Sequence, residues 1–477
     1  MFINELRTYL SLRRGKKSMR YDLIIQNGEV CTSCGRFRQD IGVQDGKIAA
    51  LARWGQLSGT QELDVSGKVV LPGLIHTHVH MREPGLTYKE DYESGTKAAA
   101  AGGITCTVDM PNVQPPTTTV DRYLEKRAVA QRKAYIDYQH WAGPVKPEEV
   151  HRFAKVGGIP GIKVFMIRDP KAKYPHMPEL TINHGDLFLL MKATAEVGLP
   201  MLVHGEDPDL MHAMALPFLA ENDLKARSVS RNFNNWWSSS RDIGTMIAIL
   251  VARLTKCKIH VLHVGHGRYL HRYVREAKEQ GQIITGEMDG SWLIEKQTDS
   301  TRRKWLERGI YKDECDYTDE LWEAVNDGTV DVLLMEHAPH CRDEILAADK
   351  NVWDAPAGLP GLQEMVPLLL TQVNKGKTSL ERFVLLTSEN PARLAGLYPR
   401  KGTIQIGSDA DFTIVDMSAE KVIRVEEVIS KAAFTPWEGY TTKGIPVHTI
   451  VRGNFIMRDG KVIGKAGYGE YVPAAHK

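Results

Sequence analysis

The sequence predicts an α/β fold: a TIM-type (β/α)8 barrel with a small discontinuous β-sandwich formed by both chain ends. Three observations carry this. Eight short apolar segments alternate with longer helical patterns through the middle of the chain. Short strands broken by turn signals occupy both ends. Residues with metal-binding chemistry stand where the apolar segments finish, the end at which such barrels place their sites.

The first end runs from "YDLIIQNGEV" to "GKVVLPG", with Asn-Gly and "DGKIAAL" marking turns between strands. A matching pattern returns in "KGTIQIGSDADFTIVD" and "VHTIVRGNFIMRDGKVI", where "RDGKVI" repeats the character of "QDGKIA". The two ends are therefore expected to pair in one sandwich. Between them the strand candidates are "GLIHTHV", "GITCTVDM", "AYIDYQHW", "GIKVFM", "PMLVHGE", "KIHVLHVG", "QIITGEM" and "DVLLMEH". Helical patterns such as "YESGTKAAAAG", "GDLFLLMKATAEVG" and "SRDIGTMIAILVARLTK" lie between them. The expected division is a basic extension over 1–20, sandwich strands over 21–70, the barrel over 71–400, the returning sandwich strands over 401–465 and a tail over 466–477.

Composition narrows the class. The chain has 477 residues, 42% hydrophobic and 25% charged, as in soluble globular proteins. No apolar run reaches the ~18 residues that span a bilayer. The net charge of +2 is unevenly placed: residues 1–20 hold six basic residues against Glu5 alone. Without them, 61 basic and 59 acidic residues become 55 and 58, so the body is mildly acidic and offers nucleic acid no footprint. The basic head reads as an extension ahead of Met19 or a targeting segment, without the apolar stretch of a secretory signal. Six cysteines make no disulfide framework, and Cys31 and Cys34 stand as a lone C-x-x-C without a second pair. A reducing cytoplasm is expected.

The reactive residues follow the strands. "HTHVH" places His78 and His80 two apart, on one side of an extended strand, where both imidazoles can face one cation. Lys163 sits in apolar "GIKVFM", a costly place for an ammonium unless it is paired or converted by CO2 to a carbamate. His204 follows "LV", His263 ends "HVLH" and is preferred over His260, and Glu336 ends "VLLME". Each alone has an ordinary structural explanation. Together they occupy strands one, four, five, six and eight, and suit a borderline divalent cation, zinc foremost, with manganese, cobalt or iron as alternatives.

Longer stretches then show a resemblance. "HVHMREPGLTYKEDYESGTKAAAAGGITCTVDMPNVQPPT", "EHAPH", "GLPGLQ" and "SENPARLAGLYPRKGTIQIGSDADFTIVD" appear in order and resemble the amidohydrolase superfamily, within it the cyclic amidohydrolases, dihydroorotase above hydantoinase and allantoinase. The resemblance implies two divalent metals, with His78, His80 and Glu336 on one, His204 and His263 on the other, and carbamylated Lys163 with a hydroxide between them. It implies Glu336 as proton shuttle, and Arg82, Asn112 and His340 as holders of a substrate carboxylate; a guanidinium fork suits that task. His337 is left to shape the turn. It also implies a small-molecule cyclic amide as partner and a homodimer or homotetramer. Three departures stand out: His76 and Glu336 replace the family's usual aspartates, and the seventh strand reads "GEMDGSWL" where dihydroorotases commonly read "TPHH". The expected activity is reversible opening of dihydroorotate to N-carbamoyl-aspartate, in pyrimidine biosynthesis. The alternatives are a hydantoinase, allantoinase, imidase or lactamase-like enzyme, and after those a non-catalytic dihydropyrimidinase-like scaffold.

Overall fold

The computed structural model describes residues 20–166, 182–222, 226–294, 317–347, 350–351, 356 and 358–476. The expected basic extension lies outside them, apart from Arg20.

All eight apolar segments form strands: β1 (Leu74–Val79), β2 (Ile104–Asp109), β3 (Asp137–His140), β4 (Ile162–Phe165), β5 (Met201–His204), β6 (Ile259–Val261), β7 (Ile284–Asp289) and β8 (Val332–Leu334). Every residue of β1 and β2 is buried. Continuous apolar runs, rather than alternating ones, are what parallel strands covered on both faces require. β1 to β3 form one parallel ladder and β4 to β8 another. The two are joined by single bridges, Ala142 with Ile162 and Val79 with His337, which complete the ring.

The connecting helices are set by their ends. Helix Tyr92–Ala101 is capped by Asp91, whose side chain accepts from Ser94 N, and stops at Gly102. Gly103 then takes φ +91, a left-handed turn that feeds β2 and that a side chain would resist. Helix His184–Val197 opens on a reciprocal capping box between Asn183 and Asp186 and closes on left-handed Gly198. Helix apolar faces and strand backs share one core, which includes Tyr92, Phe153, Leu190, Ile249 and Leu321. Burying each such side chain stabilises the fold by about 1.5–3 kcal/mol. Among the described residues, no helix is long and apolar enough to cross a membrane.

Both chain ends share a seven-stranded sheet. Phe412–Val422 runs antiparallel to Val69–Pro72 on one side and to Thr441–Val451 on the other. A four-stranded sheet made only of N-terminal strands, Tyr21–Gln26, Asp40–Gln44, Lys47–Ala52 and Gly59–Asp64, faces it. Leu23, Ile41 and Ile48 from the first end pack with Phe412, Ile414 and Ile450 from the last in a separate core.

A buried charge cluster joins sandwich to barrel at the start of β3. Lys401 Nζ lies 2.6 Å from Asp137 and from Asp411 and 3.0 Å from Asp409. Arg452 pairs with Asp137 at 2.5 Å, and Arg400 with Asp409 at 2.9 Å. The last residues run beside β3: Tyr138 N donates to Glu470 O, and Val472 N donates to Tyr138 O.

Candidate active site

The C-terminal mouth of the barrel gathers the side chains singled out above. His78 lies near the end of β1 and His80 one residue past it. Glu336 stands two residues past β8, with Oε1 3.2 Å from His80 Nε2 and 3.5 Å from His78 Nε2. Its Oε2 is 3.7 Å from His263 Nδ1. Ligand atoms of His78, His263 and Glu336 all lie within 4.8 Å of one another. His204 ends β5, its ring 5.1 Å from that of His263. Lys163 starts lower, second in β4, but its Nζ sits 4.3 Å from the ring centroid of Phe165, two residues nearer the mouth.

Two histidine rings are held from behind. His78 Nδ1 donates to Glu287 Oε1 at 2.7 Å, and His80 Nδ1 bonds Asn112 Oδ1 at 2.8 Å. A carboxylate or amide oxygen accepts, so each Nδ1 carries a proton, and in its neutral form each ring leaves an Nε2 lone pair on the Glu336 side. Such lone pairs, 3.2 and 3.5 Å from the carboxylate, repel it unless a cation or a second ring proton lies between them; a protonated His80 Nε2 donates to Glu336 Oε1 at the shorter distance. Burial lowers the pKa of His78, but Glu287 and Glu336 raise it by more, so the net shift is upward. The site thus attracts positive charge at this point. Burial holds His80 at about 3, mainly neutral imidazole.

Several buried atoms have no hydrogen-bond partner among the described residues: Lys163 Nζ, His204 Nε2 and both nitrogens of His263. Buried polar groups are rarely left so. Burial pushes Lys163 well below the usual lysine range, against the opposing pull of Glu287 and Glu336. Imidazole nitrogens, a carboxylate and a lysine amine with spare valence fit a divalent metal centre. His78, His80, His204, His263 and Glu336 would hold it, with Lys163 among them.

Arg82 and His340 meet at the rim. Arg82 Nε donates to Pro339 O, and its Nη2 is 3.2 Å from His340 Nε2. Lys89 Nζ approaches the other nitrogen of His340 at 3.1 Å. A neutral imidazole has one acceptor nitrogen and serves only one of these two cations. Arg82 and His263 both hold left-handed backbone, at φ +58, so strain gathers at this mouth. His337 shapes the turn from within, accepting from Gly361 N, with Nε2 3.3 Å from Glu90. His76 lies inside β1, donating through Nε2 to Met335 O.

The sequence reading missed Glu287, Arg241, Glu206 and His266. Glu287 lay in "GEMDGSWL", read there as a departure. Arg241, buried on helix Ala226–Thr255, lies 3.6 Å from Glu206 and acts electrostatically on Lys163, His204 and Glu336. His266 stacks on His263 at 4.5 Å and meets the Trp292 ring at 4.8 Å. A histidine three residues past a candidate ligand was the available signal for His266.

Comparison with known proteins agrees with this geometry. The family model described as Amidohydrolase family matches residues 258–456, and the Dihydro-orotase-like model matches 67–160. L-hydantoinase of Paenarthrobacter aurescens is 31% identical, covering 95% of this chain and 98% of its own. Dihydroorotase of Methanothermobacter thermautotrophicus is 32% identical, covering 96% and 98%. Allantoinase of Rubrobacter xylanophilus is 34% identical, covering 94% and 97%. The solved L-hydantoinase (dihydropyrimidinase) from Arthrobacter aurescens superposes with TM-score 0.88 at 29% identity, covering 95% of this chain and all of that one. A barrel with histidines and a carboxylate at its C-terminal mouth suits the amidohydrolase family, and this chain belongs to that family. It is an enzyme of the cyclic amidohydrolase kind, acting on C–N bonds other than peptide bonds. Three activities stand about equally near, so likeness alone does not favour dihydroorotase.

Proposed function

We propose that the chain hydrolyses a cyclic amide bearing a carboxylate, and that dihydroorotate, opened reversibly to N-carbamoyl-aspartate, is the ring that fits best. One observation carries this: buried Arg82 beside His340, on the same rim as the histidine and carboxylate cluster. A guanidinium at that rim offers a planar fork that matches a carboxylate. The bound metals, two divalent ions with zinc foremost, supply carbonyl polarisation and a water whose pKa is brought near neutrality. Glu336 takes the proton of the attacking water and returns it to the leaving ring nitrogen, as base and then acid. Arg82, Asn112 and His340 orient the carboxylate, and Asn112 does so from the position in which its Oδ1 holds His80. Lys163 supports the reading as a carbamate: its buried amine is biased towards the unprotonated form that adds CO2.

A second reading is a hydantoinase. Trp292, just past β7 and against His266, offers an aromatic wall to a ring substituent. A substrate panel separates the two. Turnover of dihydroorotate above neutral hydantoins supports the first reading; hydantoin turnover without dihydroorotate turnover overturns it. A homodimer or homotetramer in a reducing cytoplasm completes the proposal; the free thiols of Cys31, Cys34, Cys106, Cys257 and Cys341 suit that compartment.

A further inference from the structure

We infer that Glu287 is a positioning residue for the metal centre: its carboxylate fixes His78 with the Nε2 lone pair facing Glu336, and its backbone secures the turn that carries His263. The inference rests on the metal-dependent reading above.

Glu287 lies on β7 and is fully buried. Its Oε1 accepts from His78 Nδ1 at 2.7 Å, across 209 residues of chain. Its carbonyl oxygen accepts from Val264 N at 2.8 Å, one residue past His263. One residue therefore touches the supports of two candidate ligands whose rings lie 4.8 Å apart. The register explains it: Val261 pairs with Gly286, so the chain leaving β6 turns directly over Glu287.

A purely structural carboxylate would be saturated, as those around Lys401 are. Glu287 is not. Its Oε2 has no hydrogen-bond partner among the described residues, and His260 Nε2 stands 3.9 Å away. His260 is itself anchored through Nδ1 to Thr285 Oγ1 at 2.8 Å. A buried anion with one short bond to an imidazole, and no Lys or Arg in contact among the described residues, is poorly compensated as packing. It is well placed as the partner that makes His78 a better electron donor to a cation.

The test uses two isosteric substitutions in the full chain, Glu287→Gln and Glu287→Met. Gln keeps an acceptor for Nδ1–H and loses the charge; Met loses both. Zn2+ affinity, measured by competition with a chromogenic chelator, is expected to fall in the order native, Gln, Met, with Met about 10–100-fold weaker. A packing role does not produce that order, since both replacements keep the shape. If Met does not fold, Gln decides: affinity equal to native overturns the inference, and reduced affinity supports it. A second readout needs no metal. In metal-free protein labelled with 15N-histidine, His78 should carry its proton on Nδ1 in the native chain and lose that preference in Met. An unchanged tautomer in a folded Met variant overturns the inference. Native protein that shows the tautomer but takes up no Zn2+ overturns the metal reading instead.

Discussion

Two buried lysines, one at the barrel's catalytic end and one where the barrel meets the sandwich, have opposite surroundings. Lys401, at the junction with the sandwich, meets three aspartates at 2.6–3.0 Å, and their charges raise its pKa well above the usual range against burial. Lys163, at the catalytic end, has no hydrogen-bond partner among the described residues, and burial lowers its pKa well below the usual range. Each cluster gathers three groups able to ligate a metal: Asp137, Asp409 and Asp411 in one, His78, His263 and Glu336 in the other. The aspartates already enclose a cation, their own lysine. The histidines and Glu336 enclose none from the described residues. The difference teaches how to tell a structural charge cluster from a reactive one: by whether its polar atoms are satisfied, not by its residue types.

Mutations at the two lysines test that contrast most severely. Lys163→Ala should reduce turnover to background and leave the purified protein almost free of divalent metal by elemental analysis. Normal activity with full metal content would end the carbamate proposal. Lys401→Met should do the reverse. Asp411 left buried without its cation, and Asp137 and Asp409 left with one contact fewer, should lower unfolding stability in urea by about 3–5 kcal/mol, with metal content unchanged. Loss of metal on that substitution would blur the distinction.

Smaller changes sharpen the comparison within the catalytic end. Glu336→Asp withdraws a carboxylate now 3.2 Å from His80, and a displacement of about 1 Å in such a group costs about 100-fold in kcat/KM. A gain instead would mean that the longer side chain is not what this site is built around. Arg82→Met should raise KM for a carboxylate-bearing ring about 10–100-fold, the loss of one charged hydrogen-bonding partner. A neutral hydantoin should be hardly affected. Equal effects on both substrates would remove Arg82 from anion recognition.

The eight barrel strands were legible because parallel strands buried on both faces read as apolar runs, and "GLIHTHV" and "GITCTVDM" are nearly unbroken. The mouth residues were legible because histidine, lysine or glutamate at the end of such a run is conspicuous. What the sequence hid depends on register and distance. Glu287 becomes meaningful only when β7 is laid beside β6 and brought across the barrel to His78. Arg241 is one arginine on a 30-residue helix, and nothing local marks the turn of helix that faces Lys163. Asn112 could be read as a substrate contact, but not as the support of His80. The order of the sandwich strands was also hidden, since short alternating strands specify which face is buried more strongly than which neighbour they choose.

The shared sheet at the chain ends has a consequence for biosynthesis. Val69–Pro72 finds its partner in Phe412–Val422, more than 300 residues later. At about 5–20 residues per second, a ribosome needs tens of seconds to deliver that partner. Through that interval the nascent N-terminal strands wait with one edge open and about a third of their core missing. The strands after Phe412 therefore act as a closing clasp, and until they arrive the first strands present an unpaired edge of the kind that invites pairing with other chains.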